Sequence, residues 1–204
     1  MIKPEENDRL IQRAQDIIET EIIGIESLPD QFTPELNRVI DLLLHRKGKV
    51  LVTGAGTSRT IAERFAHLLS CCGVPALFIH SADALHGGAG AIQPEDVLYI
   101  ISKGGQSDEI NQFAQIAHQR GAKVIVHTEK PDSPLGKMAD VVFKVVSPVG
   151  IDPFGLVATG SSLVNAAACD AICVILLEEG GYTKEAFGLT HPGGAVGIKL
   201  AEEE

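Results

Sequence analysis

Apolar residues recur along the chain in two rhythms, first at helical spacing and later in short uninterrupted runs. Near the N-terminus, apolar residues three and four positions apart predict helices over 7–25 and 34–45, with Thr33 at the N-cap position of the second. We interpret this pair as a leading helical hairpin. Its apolar faces would either pack on a sheet or mediate a dimer.

From residue 49 onward, short apolar runs alternate with longer amphipathic segments. Five runs are almost continuously apolar and predict strands at 50–52, 76–80, 97–101, 123–127 and 141–145. The other segments predict helices at 59–72, 108–120 and 156–179, a short helix after Ser133 and a loop at 81–90. Strands without polar alternation are buried on both faces. We therefore predict an α/β fold, a doubly wound, five-stranded parallel sheet sandwiched between helices.

The domain organisation predicted from this pattern is simple. We find no internal repeat, linker or second domain, and we predict a single domain over 1–204. Within it, residues 1–46 form the leading helices and residues 47–200 form the α/β core.

Composition and charge narrow the classes of partner. The net charge of −10 argues against a nucleic-acid or anionic-membrane surface, because such surfaces are basic. The polar N-terminus does not resemble a signal peptide, and we expect no membrane-spanning segment. The four cysteines, Cys71, Cys72, Cys169 and Cys173, lack C-x-x-C spacing, so we expect no metal site. We interpret them as reduced core residues of a cytoplasmic protein.

Two glycine-rich loops follow predicted strands. The first reads G-A-G-T-S at 54–58 and the second reads S-K-G-G-Q-S at 102–107. Each loop opens a helix, and backbone N–H groups in that setting form an anion pocket. The third glycine of a dinucleotide fingerprint and the G-K-[ST] of a nucleoside-triphosphate loop are both missing. Either loop alone also fits a simple connecting turn, but together they indicate a phosphorylated small molecule.

Several candidate acids, bases and ligands lie near the same predicted edge of the sheet. His86, Glu109 and His191 could transfer protons, although each alone also fits a surface or capping residue. Asp152 could be a ligand or a turn former. His127 ends a predicted strand, and we interpret it as structural.

The motifs, taken in order, resemble a known family. They read G-A-G-T-S, A-D-A-L-H-G-G-A-G, I-S-K-G-G-Q-S-D-E, G-L-V-A-T-G-S-S and L-T-H-P-G-G-A-V-G. This order is similar to that of the sugar isomerase (SIS) domain, and within that family to the D-arabinose 5-phosphate isomerases. The resemblance covers about 49–200. It implies a phosphosugar enzyme, usually tetrameric, that interconverts aldose and ketose phosphates through an enediol without a cofactor.

The resemblance also assigns roles to residues of this sequence. Positions of the family's phosphate loop are occupied by Ser102, Gly104 and Ser107, and its H-P-G-G histidine falls on His191, which in SIS assemblies can reach a neighbouring subunit's site. The family's loop histidine and glutamate fall on His86 and Glu109, which with His191 form our candidate catalytic set. Candidates for binding phosphate or substrate are Gly56, Thr57, Ser58, Ser102, Lys103, Gly104, Ser107 and Asp152.

This sequence departs from the isomerase pattern at four positions. The family lysine is replaced by Thr57, a family glycine by Arg59, a phosphate-loop serine by Gly104, and a second glutamate by Gly150. The CBS pair that often follows the domain is also absent from the sequence. The leading hypothesis is a phosphosugar isomerase. A binding module that senses a sugar phosphate without turning it over, and an SIS lyase or deglycase, stay open as alternatives.

Overall fold

The computed structural model describes residues 4–147 and 152–202. In this part of the chain, five parallel strands form a single sheet in the order β2-β1-β3-β4-β5. The predicted α/β fold is therefore confirmed. The strands are β1 Val50–Gly54, β2 Ala76–Phe78, β3 Val97–Ile101, β4 Lys123–Thr128 and β5 Val141–Lys144.

Helices precede the sheet, connect its strands and follow it. They are α1 Pro4–Glu26, α2 Pro34–Leu44, α3 Thr57–Cys71, α4 Ser81–Leu85, α5 Asp108–Gln119, α6 Pro134–Met138, α7 Gly160–Glu179, α8 Lys184–Thr190 and α9 Gly194–Glu202. Short 3₁₀ turns lie at Pro29–Gln31 and Gly88–Ala91.

The two faces of the sheet bury separate apolar clusters. Alternate residues of β3 point to opposite faces, so Tyr99 packs with Phe65 and Phe143 while Ile100 packs with Phe113. The first cluster lies under α2, α3 and α7, and the second lies under α4, α5 and α6. Covering both faces explains why β1 and β3 are buried at every position.

The leading helices pack against the long helix α7, and α2 also lies against β5. By length and composition alone, α7 could cross a membrane, but half of its apolar window is buried inside the protein. Its buried residues join the core cluster beneath α3, which is the setting of a core helix. Several large apolar residues of α1 are exposed: Leu10, Ile11, Ile18, Ile22, Ile23 and Ile25.

One sequence prediction was wrong in this region. Residues 81–90, predicted as a loop, contain α4 and the start of a 3₁₀ turn. The preceding strand is correspondingly shorter than predicted and ends at Phe78, because His80 is the N-cap of α4 and accepts a hydrogen bond from the Ala82 N–H. The small residues that suggested a loop pack closely, with Ala84 and Ala89 both buried.

Candidate functional site

The two glycine loops meet at the carboxyl edge of the sheet, where β1 and β3 are neighbours. Gly54 is paired with Ile101, so both loops leave the sheet at the same level. A Cβ on Gly54 would lie 2.8 Å from the carbonyl oxygen of Ser58 and 3.0 Å from that of Ile101. Only glycine permits this close approach. The strand order reverses at this point, because β2 lies on one side of β1 and β3 on the other. Ligands of open α/β sheets bind in the crevice that such a reversal creates.

Two helices begin at this crevice without a side-chain cap. Gly56 is the N-cap of α3, and Ser107 is the N-cap of α5, but neither helix has a side-chain hydrogen bond to its first-turn N–H groups. By contrast, Ser133 caps α6 by accepting a hydrogen bond from the Gly136 N–H at 3.1 Å. The N-terminal N–H groups of α3 and α5 are therefore left for a ligand, and a helix N-terminus favours an anion.

The β3–α5 loop is held by a hydrogen bond within the loop and by close packing against the loop that follows β4. The buried Ser102 hydroxyl accepts a hydrogen bond from the Gly105 N–H at 3.2 Å. Gly105 has a φ of +61°, and a Cβ there would collide with the side chain of Ser133. Gly104 is different, because a Cβ there would meet nothing within 4 Å. The site therefore has room for a side chain at Gly104.

Glu109 and His86 lie on elements that begin at the same edge. Glu109 is half-buried in the first turn of α5, next to the phosphate-loop candidates. His86 is exposed at the C-cap of α4, the helix that follows β2. Glu109 and His86 therefore lie on helices that begin at the carboxyl edge of the sheet, as the two glycine loops do. Ser58 is half-buried and Thr57 exposed in the first turn of α3.

His191 is not brought to this edge by any contact within its own chain among the described residues. Its ring stacks on Phe187 with centroids 3.8 Å apart, and its Nδ1 lies 3.0 Å from both the Phe187 carbonyl oxygen and the Thr190 hydroxyl. The segment before α8 packs at the opposite, amino edge of the sheet, because the Tyr182 ring covers Gly73 just ahead of β2. His191 therefore stands apart from the two glycine loops.

Asp152 organises its own loop. Its carboxylate accepts hydrogen bonds from the Phe154 and Val157 N–H groups, each at 2.9 Å. Desolvation acts to raise the pKa of Asp152, but the backbone N–H groups of the loop outweigh it and hold that pKa below the ordinary value. These contacts are those of a turn former. Gly150, where the isomerase pattern has glutamate, lies outside the described residues.

The sequence matches the model of a known protein family. The SIS domain model matches residues 43–175. The chain belongs to the SIS domain family. The matched part of this SIS domain includes both glycine loops, His86 and Glu109, and it ends before His191.

Relatives of known name and structure agree with this membership. The curated arabinose 5-phosphate isomerase KdsD of Yersinia pestis is 33% identical over 189 residues, which are 93% of this chain and 58% of that protein. A candidate sugar-phosphate isomerase of Listeria monocytogenes, 34% identical, superposes with a TM-score of 0.88 over 90% of this chain and 97% of that one. A protein of Escherichia coli CFT073, solved in complex with arabinose 5-phosphate, is 28% identical, with a TM-score of 0.86 over 94% and 100%.

This SIS domain chain spans about three fifths of the length of the curated relatives, between 58% and 60% of the first two. Nearly the full length of the Listeria and Escherichia coli chains is matched. The predicted family and fold are therefore confirmed.

Sequence reasoning missed one acidic residue at the crevice of the SIS domain, Glu129. It immediately follows β4, and its carboxylate accepts hydrogen bonds from the Ser147 N–H at 3.1 Å and from the Ser147 hydroxyl. The ammonium group of Lys103 lies 3.7 Å from the same oxygen. The signal that could have found Glu129 is its position directly after a buried parallel strand, where site residues collect.

The structure confirms that His127, which ends a predicted strand, is a structural residue. It is fully buried in β4, and its Nδ1 lies 3.2 Å from the Tyr99 hydroxyl. Burial lowers the pKa of His127 to about 4, against an opposing effect of the Asn165 side chain. The ring is therefore neutral at pH 7.

Within the described residues, 4–147 and 152–202, His, Cys, Asp and Glu side chains do not gather in groups of three or more that could hold a metal ion. Charged pairs lie mainly at the amino edge. Asp96 there accepts hydrogen bonds from Lys49 and Gln93, and a groove of about 430 Å³ opens between α2, Lys123 and Asp140. These groups are on the side of the sheet away from the glycine loops.

Proposed function

We propose that this chain is a sugar-phosphate isomerase that interconverts an aldose phosphate and a ketose phosphate through an enediol. D-Arabinose 5-phosphate and D-ribulose 5-phosphate are the first pair to test. The observation that carries the proposal is the pair of uncapped helix N-termini, α3 and α5, that meet where Gly54 lies against Ile101. The relatives, a named arabinose 5-phosphate isomerase and a protein solved with arabinose 5-phosphate, support the same substrate class.

Phosphate binding at the two loops anchors the substrate. A doubly charged ester at the helix N-termini gains from N–H donors and from both helix dipoles. Binding energy from this remote group then positions the reacting carbons. The residues proposed to hold the ester are Gly56, Thr57, Ser58, Ser102, Lys103, Gly104 and Ser107, with Asp152 shaping the adjacent loop.

The reaction also needs proton carriers. One group must open the sugar ring, and a base must move a proton between C1 and C2 while a donor stabilises the enediolate oxygen. We assign Glu109 and His191 to these proton transfers, because Glu109 lies beside the loops and imidazole titrates near neutrality. His86 would orient hydroxyls or polarise the carbonyl. No step of an aldose–ketose isomerisation requires a cofactor.

We also propose a homo-oligomer, and the position of His191 supports it. Its contacts are within its own segment, so we propose that it completes the site of a neighbouring subunit in a tetramer. Exposed apolar residues on α1 and on the C-terminal helices offer surfaces for that assembly, among them Ile18, Ile22, Leu189 and Ile198. A light-scattering mass of one 21.6 kDa chain would contradict it.

We extend the proposal to the setting of the protein. One SIS domain occupies 1–204, and the protein acts in the cytoplasm, consistent with four free cysteines. The acidic net charge of −10 fits a partner that is a small sugar phosphate and not nucleic acid or a membrane.

A second candidate is a sensor that binds a sugar phosphate without converting it. Two features favour it: Thr57 occupies the position of the family lysine, and Lys103 is already paired with Glu129. Incubating the protein in D₂O with pentose, hexose and heptose phosphates, followed by NMR, separates the candidates. Formation of a ketose, with deuterium taken up at its C1 and at C2 of the aldose, supports the isomerase. Binding without exchange supports the sensor, and fragments would indicate a lyase or deglycase.

A further inference from the structure

Three segments at the carboxyl edge of the sheet meet at the carboxylate of Glu129. Glu129 follows β4, Lys103 follows β3, and Ser147 follows β5. Both the Ser147 N–H and its hydroxyl donate to Oε1 of Glu129, and the Lys103 ammonium lies 3.7 Å from that same oxygen. Glu129 is thus shared between the loop that carries the candidate phosphate site and the segment after β5.

The two charged side chains are held very differently. The Glu129 side chain is only 13% exposed, whereas that of Lys103 is 52% exposed. At 3.7 Å the ammonium is close enough for ion pairing but too far for a direct hydrogen bond. Glu129 is therefore a fixed group, and the Lys103 ammonium is attracted to it without being locked.

The backbone of Lys103 is fixed, in contrast to its side chain. Its carbonyl oxygen accepts hydrogen bonds from the Glu129 N–H at 3.2 Å and from the Thr128 hydroxyl at 3.0 Å. The exposed side chain of Lys103 has more room to rearrange around a ligand than this backbone does. A phosphate ester at the N-terminus of α5 would compete with the Glu129 carboxylate for the same ammonium group.

We propose that Glu129 is a positioning residue that sets how much of the Lys103 charge reaches a bound phosphate ester. This inference rests on the proposed phosphate site and deepens it. The fixed carboxylate attracts the Lys103 ammonium toward β4. Ser147 weakens that attraction, because it donates two hydrogen bonds to the same carboxylate oxygen. Phosphate affinity is then tuned by a residue that does not itself touch the ester.

The test is a double-mutant cycle on Glu129→Gln and Lys103→Met, with binding of inorganic phosphate and of D-arabinose 5-phosphate measured by calorimetry. Glutamine keeps the shape and the acceptor for Ser147 but removes the charge. We expect Glu129→Gln alone to bind both probes about two- to five-fold more tightly, the range of a partly exposed ion pair. In the Lys103→Met background the same change should have almost no effect.

Two matched variants separate this role from general electrostatics and from a structural role. Glu95→Gln makes the same charge change on an exposed residue at the amino edge and should leave both affinities unchanged. Ser147→Ala removes a donor to Glu129, strengthens its hold on Lys103 and should weaken binding. A purely structural Glu129 would change the melting temperature but give equal effects in both Lys103 backgrounds.

The outcomes are distinct. Equal effects of Glu129→Gln with and without Lys103, or equal effects of Glu129→Gln and Glu95→Gln, would overturn the inference while leaving the isomerase proposal standing. Coupling in a protein that binds phosphate esters but never isomerises them would support the inference and remove the isomerase. A wild-type protein that binds neither probe would overturn both.

Discussion

Gly54 and Ile101 are register partners at the carboxyl ends of β1 and β3, and the space between them admits no side chain. A Cβ on Gly54 would lie within 3.0 Å of backbone atoms on both sides, the Ser58 carbonyl group and the Ile101 carbonyl oxygen. This contact brings the N-termini of α3 and α5 to one crevice. The proposed phosphate site depends on it.

Replacing Gly54 by alanine should therefore separate the two loops. We expect Gly54→Ala to destabilise the fold by about 1–3 kcal/mol, the usual cost of overpacking against atoms that cannot move away, and to abolish phosphate binding. Thermal unfolding and calorimetric titration measure both effects. The control is Gly90→Ala, since a Cβ there meets nothing within 4 Å. Unchanged binding in Gly54→Ala would show that the loops do not act together.

Gly104 offers the opposite test, a gain of affinity. Its Cβ position is open, so serine fits, and the added hydroxyl can donate to a bound ester. A hydrogen bond to a charged group contributes about 1.5–3 kcal/mol, so Gly104→Ser should bind sugar phosphates at least about tenfold more tightly. Gly104→Ala is the control for the loss of glycine. Equal affinities for the serine and alanine variants would place the ester elsewhere.

Glu109 and His191 should complement each other across subunits. Glu109→Gln and His191→Asn should each lower the rate of isomerisation about 100-fold or more, if each transfers a proton in the rate-limiting step. Because His191 makes no contact with the loops of its own chain in the described residues, mixed oligomers of the two variants contain some sites with both wild-type groups. Activity measured after unfolding and refolding the variants together should exceed that of either alone. If the mixture is no more active than the two variants measured separately, Glu109 and His191 of each site belong to one chain.

His127 should make stability depend on pH. Its pKa is lowered from an ordinary 6.5 to about 4 by burial, so the folded protein binds a proton less readily than the unfolded chain. The contribution is fully present above pH 6.5 and is lost as the pH falls from 6.5 toward 4, by roughly 3 kcal/mol in all.

Denaturant unfolding at about pH 7.5 and about pH 4.5, on either side of the ordinary histidine pKa, measures this loss. His127→Gln, which cannot be protonated, should show a smaller drop between the two values of pH, whereas His67→Gln, an exposed histidine, should behave like the wild type. If His127→Gln and the wild type lose stability equally, His127 is not the group responsible.

Much of the fold was predictable because the strands are buried on both faces. An unbroken apolar run such as 97–101 is typical of a strand buried in an α/β protein, and β3 was predicted with the correct bounds. The predictions were wrong where small residues carry weak signals. Residues 81–90 contain Ala, Gly and Ser, which suit a loop by composition, but they form a helix because Ala84 and Ala89 pack in the core.

The parts of the candidate site that directly follow a strand along the chain could be predicted from the sequence. The loops at 54–58 and 102–107 lie where parallel-sheet geometry requires, side by side. Contacts between segments were not predictable. Glu129 meets Ser147, which is distant along the chain, only because β4 and β5 are neighbours. Lys103, predicted to bind phosphate, is paired with that glutamate.

The most direct test of the proposed site is NMR titration of the ¹⁵N-labelled protein with D-arabinose 5-phosphate. We predict saturable shifts in the amide signals of Thr57, Ser58, Gln106, Ser107 and Asp108, with those of Lys49 and Val124 at the amino edge unchanged. Inorganic phosphate should shift the same signals more weakly. Shifts confined to other residues, or none with any sugar phosphate, would contradict the claim that the N-termini of α3 and α5 together bind a phosphate ester.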